Sequence, residues 1–532
     1  MTTYSLRPDV AVEPAIDGWY AWSYLLAPHC AAMLRRNHYR PMLEGYLAEP
    51  EKHAAALRDP RMQGGSFVYG EGDRYDVIAS WWAKAGQENP LDRLAEAIVE
   101  LETEVLPRQN GRGLAETYQE LPHALRGLVE LYYERDNVTA DYRFLEALVH
   151  GSDYAHAVPQ HVRFSFIRRD DRDFALTTPL LAFDHDQLVV DVDLGSPALD
   201  RMFAGHLAAD ALDALAQELG IHDEDRALFD SYFAADPLEG RPVHPAASGT
   251  RVQYAGHACV VVEHDSACVL VDPVMSYSGY EHTAGERVTF DSLPDQIDCV
   301  AISHNHQDHM LLETLLRIRH KVREVVVAES TNGSLVDPNL PLILKRLGFT
   351  VTGLREMEST DVGSMTLTSL PFIGEHGDLR IHTKSCFHLD VGGRGMAFAA
   401  DATNINPGMY ERVTAMLGTI DTLFIGMECV GAPVSWMYGA FFTHRLQRKL
   451  DQSRRLKGSN YEQALDIVRA MGPSEVFVYA LGQEPWLGAV MCIEYDESHP
   501  AMTESSKLIE QLTSEGLRSK RLYLYEEIRA EL

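Results

Sequence analysis

The sequence lacks several features that mark special classes of protein. Its 532 residues include only seven cysteines, an odd number without a C-x-x-C pair, so neither a disulfide framework nor a thiolate metal site is indicated. No stretch is apolar for long enough to predict a transmembrane helix, and the first residues lack the apolar segment of a signal peptide. We therefore expect a cytoplasmic protein with no membrane partner.

Positive charge is also scarce. The chain has 47 Lys and Arg against 78 Asp and Glu, a net charge of -31, which argues against a nucleic-acid partner because phosphate would be repelled over most of the surface. One segment is an exception, and its basic residues are Arg445, Arg448, Lys449, Arg454, Arg455 and Lys457. This basic segment is either an ordinary solvated surface or a contact for an acidic partner.

The length predicts more than one domain, since single hydrophobic cores stop growing well below this size. The Pro- and Gly-rich segment 236–249 fits a boundary, which predicts an N-terminal α+β domain over 1–245 and a catalytic domain over 246–532. In the first domain, Asn89-Pro90 begins an amphipathic helix, and further helices are expected around 115–134 and 200–218. Residues 187–193 alternate as in a strand.

The second domain interleaves apolar strands with helices. Runs at 258–263, 267–271, 298–303, 322–328, 365–370, 396–400, 423–427 and 476–479 are β-rich, and a helix is expected over 311–320. Strands alternating with helices are typical of an α/β sandwich in which helices cover the sheets.

Side chains that can bind metal ions are concentrated directly after the strand 298–303. Three imidazoles and a carboxylate follow it within six residues, at His304, His306, Asp308 and His309. On a tight loop, the first two side chains can converge on one ion while the last two reach a second ion about 3.5 to 4 Å away, the spacing that two-metal catalysis uses. The alternative is a chance histidine-rich surface loop, which rarely follows a buried strand. The motif predicts a pair of metal ions.

This H-x-H-x-D-H motif resembles the hallmark of the metallo-β-lactamase superfamily, and the resemblance extends from about Arg251 to Trp486. Gly256-His257, Asp272-Pro273 and Asp401 at the end of an apolar strand resemble that superfamily's other motifs. The resemblance implies an αββα sandwich, a bridging role for Asp401 and a role for Asp272 in orienting a histidine ring.

The departures from the superfamily concern its remaining histidines. Where its hydrolases usually supply further imidazoles, this chain has Gly374-Glu375-His376 and Gly426-Met427-Glu428-Cys429, and the strand 476–479 ends in Ala480. If Glu375 and Glu428 are ligands, one ion takes His304, His306 and Glu375, the other takes Asp308, His309 and Glu428, and Asp401 bridges both. Two alternatives stay open: His376 binds in place of Glu375, or Glu428 is a satisfied core carboxylate. Such an oxygen-rich set favours iron or manganese over zinc.

The combination of these motifs with a long N-terminal domain resembles the non-haem di-iron β-hydroxylases of nonribosomal peptide antibiotic biosynthesis. The resemblance implies a monooxygenase with two iron ions, O₂ as co-substrate and an external electron donor, in which Glu375 and Asp401 are catalytic. It also implies an aromatic aminoacyl substrate, L-p-aminophenylalanine in the first instance, held as a thioester on a nonribosomal peptide synthetase carrier domain. A homodimer is expected, with the N-terminal domain serving dimerisation and substrate access.

Two other functions compete with this one. Members of the superfamily commonly bind two zinc ions and activate water, so a dizinc, lactonase-like hydrolase is the main alternative. A catalytically silent assembly protein is the other, but such a protein has no need to keep four carboxylates beside three buried imidazoles.

Overall fold

The computed structural model describes residues 2–70, 74–86, 89–156, 158–236, 249–281, 285–493 and 495–528. The catalytic half contains two seven-stranded sheets. In spatial order, the first contains Val351–Leu354, Val325–Ala328, Cys299–Ala301, Ala267–Val271, Val260–His264, Thr250–Tyr254 and Glu526–Ile528. The second contains Ser359–Val362, Met365–Leu370, Cys386–Val391, Arg394–Phe398, Thr422–Gly426, Glu475–Tyr479 and Arg518–Arg521. Each sheet is antiparallel at one end and parallel at the other.

The strand periodicity explains how these sheets pack. Along one strand, Val260 and Val262 face the core between the sheets, whereas Val261 faces the layer outside. Helices cover both outer faces of the sandwich. They are Leu312–Ile318, Leu340–Arg346, Pro407–Leu417, Val434–Tyr438, Tyr461–Met471 and Pro500–Ser514. Two short helices, Arg448–Ser453 and Gly488–Met491, complete the α-helices described in this half. This arrangement confirms the predicted αββα sandwich.

The N-terminal half is a mixed α+β unit, as predicted. Its strands are Thr3–Leu6, Val10–Ile16, Trp19–Tyr20, Val129–Tyr133, Ala140–Phe144, Gln160–Phe166, Leu188–Asp191, Leu207–Ala208 and Phe233–Ala235. Its helices are Ser23–Leu26, Pro28–Leu34, Arg40–Ala48, Pro50–Leu57, Tyr75–Ala85, Pro90–Glu100, Thr117–Glu120, Glu146–His150, Asp153–His156, Pro197–Ala204, Ala209–Glu218 and Arg226–Ser231. The predicted boundary at 245/246 lies outside the described residues and stays a prediction.

The predicted elements of this half have mixed outcomes. The helix Pro90–Glu100 begins after an Asn89 cap, which confirms the prediction there. The helix expected over 115–134 is wrong: a single turn, Thr117–Glu120, ends before Pro122, and Val129–Tyr133 pairs as a strand with Ala140–Phe144. The helix expected over 200–218 is two helices, which Gly205 separates.

A buried charge network joins the two halves next to the loop that contains His304, His306, Asp308 and His309. Glu313, in the helix that follows this loop, lies 3.1 Å from Arg172, and Arg172 lies 3.2 Å from Glu13. The hydroxyls of Tyr20 and Tyr277 donate hydrogen bonds to Glu313. The N-terminal half therefore fixes the start of that helix. In the part of the chain that the structure describes, no helix combines the length and apolarity needed to cross a bilayer.

Candidate metal centre

The four residues of the motif lie in a buried loop at the end of the strand Cys299–Ala301. His304 and His309 are fully buried, and the exposed fraction of His306 and Asp308 stays below a tenth. The ring centroids of His304 lie 4.6 Å from His306 and 4.2 Å from His309. A solvated surface loop would not be buried in this way, so the chance explanation of the motif does not fit.

Asp272 and Ser303 contact two of these imidazoles at Nδ1. Asp272 follows the strand Ala267–Val271 and accepts hydrogen bonds from the backbone N–H and the hydroxyl of Ser303 at 2.6 and 2.7 Å. Its Oδ2 lies 2.9 Å from Nδ1 of His309, and the Ser303 hydroxyl lies 2.9 Å from Nδ1 of His304. Contacts at Nδ1 leave Nε2 of each ring for an ion.

Glu375 faces His306 across the site. Its Oε1 lies 2.8 Å from Nδ1 of His306, and its Oε2 lies 2.9 Å from Nδ1 of His376. The phenol oxygen of Tyr438 lies 2.9 Å from Nε2 of His306, so this ring turns Nδ1 toward the site.

Asp401 lies between the imidazoles. Its Oδ2 is 3.0 Å from Nε2 of His309 and 4.0 Å from Nε2 of His304. The neighbouring strand end must be a glycine, because a Cβ on Gly426 would lie 2.8 Å from Oδ1 of Asp401 and 2.4 Å from the carbonyl oxygen of Ala400. Ala400 itself has a positive φ of 46°, a strained conformation of the kind that concentrates at functional sites.

Three groups of side chains among the described residues bring at least three ligand atoms within 4.8 Å of one another. The groups are His304, His306, Glu375 and His376; His257, Asp308 and His309; and His304, His309 and Asp401. Several of these atoms are buried and have no hydrogen-bond partner, including Nε2 of His304, Nε2 of His376 and Oδ1 of Asp401. Buried polar atoms without partners are costly, so this mixed oxygen and nitrogen set fits cations.

Glu428 lies apart from these groups. It lines the same cavity, but its Oε2 accepts a 2.6 Å hydrogen bond from the backbone N–H of Gly431, and its Oε1 accepts one from Val430 at 3.3 Å. Burial, with a smaller contribution from nearby Asp401, raises the pKa of Glu428 to about 7 against the backbone hydrogen bonds from Gly431 and Val430. Its carboxylate would have to turn away from its own loop to bind an ion.

The ionisable groups of the cluster stabilise one another. Burial opposes the charge of His306, but Glu375 raises the pKa of this imidazole above its ordinary value. Burial also opposes ionisation of Glu375, yet His306 and His376 hold the pKa of its carboxyl well below the ordinary value. For His304, burial and the imidazoles of His309 and His306 lower the pKa well below the usual range. A neutral imidazole is the form that binds metal ions.

Two cavities meet beside the cluster. The first, of about 380 Å³, is lined by His306, Asp308, Glu375, Asp401 and Glu428 and also by Arg61, Gln63 and Gly64 from the N-terminal half. The second, of about 310 Å³, has aromatic walls from Trp22, Tyr39, Phe174 and Trp436. Trp436, Met437 and Gln307 line both cavities. The N-terminal half therefore helps to shape the approach to the cluster.

The basic segment lies next to the first cavity, which Arg455 lines. Arg445, Arg448, Lys449 and Lys457 are exposed, and none of the six cations has an ion-pair partner among the described residues. Arg455 donates to the carbonyl oxygen of Val430 at 2.6 Å, and Arg454 donates to that of Gly377 at 2.7 Å. Four of the six cations are thus free for a partner, while two hold loops around the site.

Sequence reasoning missed three contacts of this cluster. His257 was noted only as part of a hairpin motif, although its Nε2 lies 3.2 Å from Oδ2 of Asp308. Ser303 and Tyr438 were not singled out at all. A serine directly before the motif was a usable signal for Ser303, but Tyr438 is distant in sequence and only the fold brings it to His306.

Comparisons with known proteins agree with this arrangement. Residues 5–237 match the family model described as the diiron non-heme beta-hydroxylase N-terminal domain, and residues 268–479 match the beta-lactamase superfamily domain. The chain is 50% identical, over 530 residues and 99% of both chains, to the 4-amino-L-phenylalanyl-[CmlP-peptidyl-carrier-protein] 3-hydroxylase of Streptomyces venezuelae.

Solved structures give the same result. The crystal structure of CmlA, a diiron β-hydroxylase from Streptomyces venezuelae, matches with a TM-score of 0.95 and 48% identity, covering 99% of this chain and 100% of that chain. A mutant of the CmlA β-hydroxylase matches with a TM-score of 0.92 and 47% identity, with the same coverage. These likenesses confirm the predicted fold, the di-iron cofactor and the hydroxylase activity, and they do not favour the hydrolase alternative. The chain belongs to the family of non-haem di-iron β-hydroxylases, enzymes that join a dedicated N-terminal domain to a metallo-β-lactamase-like domain.

Proposed function

We propose that this enzyme β-hydroxylates an aromatic aminoacyl group, L-p-aminophenylalanyl, carried as a thioester on a nonribosomal peptide synthetase carrier domain. The observation that carries the proposal is the 50% identity over the full chain to an enzyme named for this aminoacyl-carrier substrate. The aromatic walls of the second cavity support it, since Trp22, Tyr39, Phe174 and Trp436 offer stacking surfaces for an aryl ring beside the metal centre.

The proposed ligand set is the one that the motifs imply, and the contacts of the cluster support it for every member except Glu428. His304, His306 and Glu375 would hold one iron ion, Asp308, His309 and Glu428 would hold the other, and Asp401 would be shared between them. The 2.8 Å contact between Oε1 of Glu375 and Nδ1 of His306 supports Glu375 as the ligand, with Nδ1 of His376 lying 2.9 Å from the second oxygen of Glu375. Glu375 and Asp401 are the carboxylates proposed to contact the reacting atoms.

The residues around the ions have separable tasks. Bound ferrous ions supply the electrons and open positions that O₂ activation needs, with an external donor restoring the electrons. Asp272, Ser303 and Tyr438 keep the imidazole rings in their tautomers and orientations. Trp436 and Met437 line the first cavity, where their apolar side chains would exclude water from the substrate's β-carbon.

The carrier domain is proposed to dock on the basic segment. Carrier domains are commonly acidic, and an enzyme of net charge -31 needs a local positive surface to receive one. Arg448 and Lys449 are exposed, and Arg455 of the same segment lines the cavity that leads to the cluster. Charge reversal by R448E and K449E should raise the KM for the carrier-bound substrate about tenfold and leave the iron content unchanged. The matched control is R112E with R135E on the N-terminal half, which should leave KM unchanged.

The activity is tested by anaerobic reconstitution of the full chain with ferrous iron. The reduced enzyme then meets O₂ with a carrier domain loaded with 4-amino-L-phenylalanine. Mass spectrometry should find a gain of one oxygen atom on the tethered group and none on the free amino acid. Release of the amino acid from the carrier without oxygen insertion would instead support a hydrolase. The expected homodimer and the cytoplasmic location stay predictions, and light scattering of the purified chain tests the first.

A further inference from the structure

His257 is a buried imidazole that the proposed ligand set does not use. Its exposed fraction is 1%, neither of its ring nitrogens has a hydrogen-bond partner among the described residues, and its Nε2 lies 3.2 Å from Oδ2 of Asp308. The ring packs edge-on against His309, with the ring centroids 5.0 Å apart. Burying a polar ring without hydrogen-bond partners costs free energy, so its presence here indicates a role in the site.

The backbone around His257 is built to bring the ring to this place. Gly256 has a φ of 103°, and a Cβ there would lie 2.6 Å from the indole of Trp486. His257 itself has a positive φ of 52°, and so does Ala480, whose N–H donates a 2.8 Å hydrogen bond to the carbonyl oxygen of His257. Strained conformations persist only where the surrounding structure enforces them.

This hydrogen bond connects the two sheets at an informative position. Ala480 ends the strand Glu475–Tyr479, where the resemblance to superfamily hydrolases leads one to expect a histidine. His257 precedes the strand Val260–His264 of the other sheet. The strand end that lacks a histidine is thus bonded to a residue whose imidazole faces Asp308.

We infer that His257 is a positioning residue for Asp308: its imidazole lies with Nε2 3.2 Å from Oδ2, which limits the movement of the carboxylate and leaves its other oxygen for the second ion. This inference rests on the proposed function only in taking Asp308 as a ligand. The role matches that of Asp272 toward His309, in which a partner behind the ligand sets its direction. The N-terminal hairpin of the catalytic half thereby takes part in the metal centre.

Anaerobic titration of the metal-free, full-length chain with ferrous iron tests this role without substrate. His257→Leu should weaken binding of the second ion 10- to 100-fold, as for other partners of metal ligands, and leave the first ion in place. His257→Gln, which keeps an N–H donor, should restore binding to within a few-fold of the wild type. Mössbauer spectra of the iron-57 enzyme should show one changed site in the leucine variant.

A matched control is His388→Leu, which removes another buried imidazole of the same half, one that belongs to none of the described ligand groups. It should bind two ions with unchanged affinity. Wild-type affinity for both ions in His257→Leu would overturn the inference, as would equal weakening of both ions. If the leucine variant does not fold, weak second-ion binding by a folded His257→Gln would overturn it as well. Because no substrate is present, these outcomes are independent of the hydroxylation assay.

Discussion

Tyr438 and His306 contact each other through the phenol oxygen and Nε2 at 2.9 Å, while Nδ1 of the same imidazole lies 2.8 Å from Glu375. The ring is therefore held at both nitrogens, one facing a helix and the other facing the site. Tyr438 lies in the helix Val434–Tyr438, which also lines the cavities through Trp436 and Met437. A single short helix thus orients one proposed ligand and forms part of the substrate wall.

Loss of the Tyr438 hydroxyl should weaken iron binding. Y438F keeps the packing of the aromatic ring but removes the hydroxyl that contacts Nε2 of His306. Because the His306 ring can then rotate, the affinity of the variant for the first iron ion should fall about tenfold. Ferrous titration followed by absorption and iron analysis measures this change. Y410F is a fitting control, since the buried Tyr410 hydroxyl has no hydrogen-bond partner, and it should bind iron normally. Equal affinities in Y438F and the wild type would contradict the prediction.

The role of Glu428 can be decided by comparing the metal-free and the iron-loaded protein. Because burial raises the pKa of Glu428 to about 7, E428Q should not destabilise the metal-free chain, and its carbonyl oxygen can still accept from Gly431. If Glu428 binds the second ion, the same variant should lose most of the second iron. Unfolding midpoints and iron stoichiometry measure the two effects. Full iron content together with a lower midpoint would identify Glu428 as a core carboxylate instead.

The part of the centre that could be predicted from sequence is the part that is local in sequence. His304, His306, Asp308 and His309 lie within one loop, so their spacing indicates their convergence. Glu375 and Asp401 were placed by the order of the motifs and lie in the cluster. The surrounding contacts were different, since Tyr438 and His257 reach the loop only through the packing of distant elements.

The fold likewise has parts that could be predicted from the sequence and parts that could not. The predicted strands of the sandwich follow apolar runs that are largely buried, so their positions were clear from composition. Strands with exposed, polar residues, such as Ser359–Val362 and Arg518–Arg521, were not predicted. The failed helix over 115–134 had no such signal. Pro122 prevents the helix Thr117–Glu120 from continuing. Further along, Val129, Leu131 and Tyr133 alternate with their neighbours as in a strand. There, the period-two pattern was the informative signal, and the predicted helix overlooked it.

Arg172 should be essential for stability because it neutralises two buried carboxylates. It contacts Glu13 at 3.2 Å and Glu313 at 3.1 Å, and the Glu313 side chain is 1% exposed. R172M leaves Glu313 without its cation, while Glu13 keeps Arg163 at 2.7 Å, and breaking such a buried pair costs about 3 to 5 kcal/mol. Denaturant unfolding measures this loss. R169M removes a neighbouring arginine whose carboxylate contacts are longer and more exposed, and it should cost less than about 1 kcal/mol. Similar losses in both variants would contradict the assignment.

The ionisation of Glu146 should make the free energy of unfolding depend on pH. Burial raises the pKa of this carboxyl from 4.5 to about 8, against a 2.7 Å hydrogen bond from the backbone N–H of Asn339. The folded chain thus holds a proton here that the unfolded chain has already lost at neutral pH. A raised folded pKa means that this contribution is fully present below the unfolded value and is lost as the pH rises toward the folded value.

E146Q removes this dependence because the amide does not ionise, and its carbonyl oxygen can still accept from Asn339. Between about pH 5.5 and about pH 8.5, the wild type should lose about 2 to 3 kcal/mol of stability relative to E146Q. Denaturant unfolding of the metal-free chains at several pH values measures the gap, which should widen steadily in favour of the glutamine. E44Q, on the exposed face of the helix Arg40–Ala48, should follow the wild type throughout. Parallel profiles for E146Q and the wild type would show that Glu146 ionises in the folded chain as readily as in the unfolded one, and a neutral buried carboxyl at this position would then be excluded.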